Sequence, residues 1–114
     1  MRLLTPTFLR RFAGKVLNVH PALLPAFQGL HAVRQAIEHG VRVAGCTVHF
    51  VDEGTDTGPI IAQASVPVSP GDDEAKLGAR IHAQEHRLYP AVVLAIARGA
   101  VTLEGRRVHL EEQL

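Results

Sequence analysis

The chain is short of several things, and each shortage removes a class of function. It holds one cysteine, Cys46, in 114 residues. That excludes an internal disulfide framework and any metal site built on clustered thiolates. No segment approaches the ~18–20 uninterrupted apolar residues of a membrane span. The opening Met1-Arg2-Leu3-Leu4-Thr5-Pro6 lacks the apolar stretch of a signal peptide. Charge of one sign is scarce too: 12 Lys+Arg against 11 Asp+Glu leave a formal net charge of +1, without the basic excess of a nucleic-acid surface. Gly-x-Gly-x-x-Gly, Walker, Gly-x-Ser-x-Gly and Cys-x-x-Cys patterns do not occur. With 46% hydrophobic and 20% charged residues, the composition is that of a globular chain with a single core. The expectation is a cytoplasmic protein with no membrane and no nucleic-acid partner.

Against these shortages stand 7 His and 10 Gly, gathered in a few short segments. Around them the chain alternates strand and helix signals. Thr5-Pro6 to Gly14 reads as a short helix, with Thr capping, Pro in the first turn and Gly past the end. Lys15–His20 is a short strand that stops at Pro21, and the Pro21–Gly29 stretch is a loop whose Leu23, Leu24 and Phe27 point inward. Leu30–His39 is a helix with Leu30, Val33 and Ile37 on one face and Gly40 as terminator.

Val43–Val51 is a second strand, Asp52–Pro59 a polar loop, and Ile60–Val68 a third strand placed at an edge by Pro67. After a turn at Pro70–Asp73, a helical stripe joins Leu77, Ile81, Leu88, Val92 and Ile96. Pro90 is expected to kink or divide that helix near Arg87–Tyr89. Val101–Leu103 and Arg107–Leu110 flank Glu104-Gly105 as a terminal hairpin. The alternation indicates an α/β layered fold. Three strands with two or three helices leave one face and one edge poorly covered, so either a partner chain covers them or the chain is part of a larger domain.

Four segments could carry chemistry. Asn18 and His20 fall on the same side of the first strand, at its carboxyl end, where open α/β sheets bind ligands. An amide donor beside an imidazole can polarise a carbonyl and handle a proton, or the two can simply close the strand. The loop Asp52-Glu53-Gly54-Thr55-Asp56-Thr57-Gly58-Pro59 either bends around a ligand or is a solvated hairpin loop, and its spacing does not fit a calcium loop. His20, His31 and His49 with Asp56 have the donor types for zinc but no short chelating spacing among them. By default His31 is a supporting, ligand-facing group and His49 a bonded core histidine, so no metal is expected. Glu85, in Gln84-Glu85-His86, lies off the apolar stripe and faces either solvent or a cleft.

The segments gain meaning together. Asn18-Val19-His20-Pro21-Ala22-Leu23-Leu24-Pro25, Gly29-Leu30-His31, Gly45-Cys46-Thr47-Val48-His49-Phe50-Val51-Asp52 and Asp56-Thr57-Gly58-Pro59-Ile60-Ile61 follow in this order. The chain resembles the folate-dependent formyltransferase family from Met1 to about Leu110. Gly29-Leu30-His31 and Gln84-Glu85-His86 with Tyr89-Pro90 are similar to its glycinamide ribonucleotide branch.

The resemblance implies transfer of a formyl group from 10-formyltetrahydrofolate to the amine of glycinamide ribonucleotide. It assigns Asn18 to the formyl oxygen, His20 to the same carbon, and Asp56 to holding His20 and shuttling a proton. Val51, Asp52, Glu53, Gly54 and Thr55 would line the folate pocket with Arg2 and Leu4. Glu85 would contact the nucleotide, with His31 and His49 in support. In the family the domain is nearly twice as long. Residues 1–114 therefore read as a single partial domain: the carboxyl-terminal, catalytic half, with three strands of a mixed sheet, a terminal hairpin and flanking helices. The resemblance implies that the nucleotide-binding half is missing and that Met1 corresponds to an internal methionine, and activity of the chain alone is expected to be weak or absent. Alternatives are another formyl-folate enzyme (acting on methionyl-tRNA, a sugar amine or water) or a non-catalytic folate-binding fragment that self-associates through its uncovered sheet edge.

Overall fold

The structure, a computed structural model, describes residues 16–111 and residue 114. The expected first helix and the expected folate contacts Arg2 and Leu4 lie outside the described residues. The elements run β1 (Leu17–His20), α1 (Ala32–His39), β2 (Val43–Phe50), β3 (Ile60–Pro67), α2 (Glu74–Ala97), β4 (Val101–Glu104) and β5 (Arg107–Leu110).

Strands β1, β2 and β3 form one sheet in that order, and β4 pairs with β5 in a second. The α/β fold and the terminal hairpin are as expected. All pairings among the described residues are antiparallel, so any parallel pair that would make the sheet mixed lies outside them. Pro67 closes β3, which is an edge of the sheet as its proline requires. No strand pairs with the outer side of β1 among the described residues.

The division of labour in the sheet follows from the two-residue period of β2. Ala44, Cys46, Val48 and Phe50 join Ile61, Ala64, Val66 and the α2 residues Leu77, Ile81, Leu88 and Val92 in the hydrophobic core. Gly45, Thr47 and His49 alternate with them and are equally buried, but on the opposite face, under loops rather than α2. One face therefore holds the fold together and the other holds hydrogen-bonding groups.

Two expectations about the helices need correction. Leu30 lies outside α1 and is exposed; the buried positions of α1 are Ala32 and Ala36, with Val33 and Ile37 half-buried. Helix α2 runs as one 24-residue helix with Pro90 inside it, so the proline does not divide it. Pro90 and His86, whose carbonyl the missing N–H would have bonded, both lie on the exposed side, where water can replace the lost bond. Leu88 and Val92 on the other side stay buried, and their packing keeps the helix whole. No helix among the described residues is long and apolar enough to cross a membrane.

Candidate active site

Loop 21–31, between β1 and α1, lies over the polar face of the sheet, and its backbone is bonded by the buried Thr47 and the exposed Gln63. Thr47 Oγ1 donates to Ala22 O (2.7 Å) and accepts from Leu24 N (3.1 Å). Gln63 Nε2 donates to Leu24 O and to Thr47 Oγ1, both at 3.0 Å. Leu24 is buried, and Leu23 and Phe27 are half-buried, so the loop packs inward as its composition suggests.

At the end of β1 the same loop meets loop 51–59. His20 is buried, and its Nε2 lies 2.7 Å from Phe27 O. A carbonyl only accepts, so Nε2 carries the proton in that bond. The other nitrogen, Nδ1, lies 3.5 Å from Asp56 Oδ2. Asp56 is buried too, in the left-handed region at φ 55°, one of the few side chains enriched there. Its Oδ2 accepts from Gly29 N at 2.8 Å and its backbone carbonyl from Gln28 Nε2 at 3.3 Å.

His49 completes the cluster. Its Nδ1 bonds to Phe50 O at 2.9 Å, which puts the proton on Nδ1, and its Nε2 points at Asp56 Oδ1 from 3.8 Å. That Nε2 has no hydrogen-bond partner among the described residues. With both rings neutral, the carboxylate of Asp56 faces two lone pairs. The carboxylate thus stands within 4 Å of one nitrogen of each ring.

Asn18 pairs with His49 across β1 and β2, and His20 with Thr47, so all four side chains share the polar face. Asn18 is half-buried, and its side-chain amide has no partner among the described residues. An amide donor beside an imidazole–carboxylate pair has the parts to stabilise an oxyanion and to pass a proton. The reach of loop 51–59 is set within the loop. Asp52 Oδ1 accepts from Gly54 N (2.9 Å) and Thr57 Oγ1 (2.6 Å). A Cβ on Gly58 would sit 1.7 Å from Phe50 O, so only glycine lets the loop return to the sheet. Val51 N bonds to Val16 O at 2.8 Å, and Glu53 and Thr55 are exposed.

Two residues fall elsewhere. His31 starts α1 at φ 60° without a side-chain cap, and its side chain is exposed; its carbonyl accepts from the Gln35 N–H at 3.0 Å. Glu85 lies on the α2 side, in an open cavity of about 500 Å³ lined by Val19, His82, Glu85, His86, Tyr89 and Pro90. Val19 alternates with Asn18 and His20, so this cavity and the His20–Asp56 cluster lie on the two faces of β1. Thr47 and Gln63 carry no acid–base signal in sequence, and the loop bonding they provide was not foreseen.

The family described as Formyl transferase matches residues 1–93. The chain belongs to the formyl transferase family. It is 58% identical over 106 residues to the phosphoribosylglycinamide formyltransferase of Mycobacterium tuberculosis (strain H37Rv), covering 93% of this chain and 49% of that protein. The Escherichia coli (strain K12) enzyme of the same name is 45% identical over 113 residues, 99% of this chain and 53% of its own length. Glycinamide ribonucleotide transformylase 1 of Symbiobacterium toebii superposes with a TM-score of 0.94 at 55% identity, over 98% of this chain and 53% of that one. A formyltetrahydrofolate deformylase of Pseudomonas syringae superposes at 0.93 with 30% identity, over 98% and 38%. This formyl transferase chain thus spans about half the length of these transferase relatives.

Proposed function

We propose that the chain provides the formyl-transfer half of a phosphoribosylglycinamide formyltransferase, moving the formyl group of 10-formyltetrahydrofolate to the amine of glycinamide ribonucleotide. The carrying observation is the buried His20–Asp56 pair at 3.5 Å, with the amide of Asn18, unpartnered among the described residues, two positions away on one strand face. The acceptor amine adds to the formyl carbon, the carbonyl oxygen becomes an alkoxide, and the bond to the folate nitrogen then breaks. The amine loses one proton and the folate nitrogen gains one. Asn18 donates to the alkoxide, His20 stands beside the reacting carbon, and Asp56 balances His20 while the proton passes. Val51, Asp52, Glu53, Gly54 and Thr55, with Arg2 and Leu4, form the folate side. Glu85 contacts the nucleotide. Two substrates in contact, an aimed donor and a proton path suffice for this reaction, without a covalent enzyme intermediate.

The test is a formyl-transfer assay on this chain alone and combined with the remaining half of the Mycobacterium tuberculosis relative, offering glycinamide ribonucleotide, methionyl-tRNA, a sugar amine or water as acceptor. The expected outcome is transfer to glycinamide ribonucleotide in the combined protein and little or none from the chain alone. Asn18→Ala should lower turnover about 100–1000-fold, the usual cost of an oxyanion donor, and leave folate affinity nearly intact, as should Asp56→Asn. Full turnover in both variants would remove the mechanism, and a preference for water would redirect the reading to hydrolysis.

A further inference from the structure

We infer that His82 and His86 form a bidentate site for a late first-row divalent cation, Cu2+ or Zn2+, on the exposed face of α2. Residues four apart on a helix stand one turn above the other on the same face. Here the two imidazole centroids are 4.2 Å apart with an interplanar angle of 62°, and both side chains are exposed. Neither is tied into the His20–Asp56 cluster.

A second observation concerns the proton. His82 Nδ1 lies 3.4 Å from Glu85 Oε1, with the Glu85 side chain only 15% exposed. A carboxylate on one ring nitrogen holds the proton there and frees the lone pair of the other nitrogen, the usual support of a metal-bound histidine. Imidazole suits copper, zinc and nickel. The site has two protein ligands, the imidazoles of His82 and His86, and no third His, Cys, Asp or Glu joins them in a metal-holding group among the described residues. Water or a small anion completes the coordination from the open cavity beside Tyr89 and Pro90. Glu85 is shared with the nucleotide contact proposed above, so the test reads metal binding rather than turnover and stands or falls separately from formyl transfer.

Calorimetric titration of the full chain with Cu2+ alone and with Zn2+ alone, in a non-chelating buffer, should give one saturable site. His82→Ala and His86→Ala should each weaken it at least about tenfold, the smallest loss typical even for an indirect support of a metal. His39→Ala and His109→Ala should leave it unchanged. Copper paramagnetic resonance should show two coordinated nitrogens at that site, and one in either helix variant. Alanine is the better helix former and both positions are exposed, so circular dichroism should find the variants folded. No saturable binding in the unaltered chain, or equal binding by the His82→Ala/His86→Ala double variant, would overturn the site.

Discussion

The hydroxyl of Thr47 joins Ala22 O, Leu24 N and Gln63 Nε2, and the loop it anchors supplies the two backbone groups that grip His20 and Asp56. Thr47→Val keeps the shape and removes these bonds. A buried group left without its partner costs about 1–3 kcal/mol, so urea unfolding should show a loss of at least that size, with Thr47→Ser recovering much of it. An unchanged midpoint would mean that water takes over the bonds. At this scale the sequence displayed donors better than their use. Asn18, His20 and Asp56 were legible because amide, imidazole and carboxylate are chemically conspicuous. Thr47 was not, because a β-branched residue in a strand needs no further reason to be there. His31 was conspicuous but stands on the exposed start of α1, where its left-handed backbone rather than its ring shapes the turn.

Elements are joined here by arginines. Arg80 on α2 donates to both oxygens of Asp72 and to Pro67 O at the end of β3. The Arg80 guanidinium, helped by the Ser69 N–H, holds the Asp72 carboxyl down at about 2 from an ordinary 3.8. A depressed carboxyl stabilises the folded state fully above its unfolded value and loses that contribution as pH falls through the folded one. Denaturation midpoints should therefore decline between about pH 4 and 2 through this group, and Asp72→Asn should flatten that part of the profile. An unchanged acid limb would show that the pair contributes nothing. Arg106, in the β4–β5 turn, donates to Thr57 O and lies 3.8 Å from Asp52 Oδ2. Arg106→Ala should change global stability by less than about 1 kcal/mol, since the side chain is exposed. It should nevertheless speed hydrogen exchange at the Gly54 amide, which Asp52 holds; unchanged exchange would mean the hairpin does not brace the loop. Turn chemistry and periodicity located most of these elements. The uninterrupted α2 escaped them, since a proline signal is local and the packing of Leu88 and Val92 that outweighs it is not.

Across the whole molecule, β2 is where fold and candidate chemistry share one strand, and the two cannot be separated by loosening the sheet. Cys46 lies on the core face and is fully buried, between Gly45 and Thr47 on the other face. Burial first, and the nearby Glu85 charge second, push its thiol above its ordinary value, so the reactive thiolate is scarce as well as hidden. Labelling of Cys46 by a thiol reagent should therefore wait for the sheet to open. If the sheet opens only with the core, Leu77→Ala, which removes a fully buried side chain on α2 at a cost of roughly 2–5 kcal/mol, should speed labelling by tenfold for every ~1.4 kcal/mol lost. Labelling that ignores Leu77→Ala would mean that β2 detaches locally from α2, and His49, on the same strand, would then leave Asp56 without any unfolding of the helix.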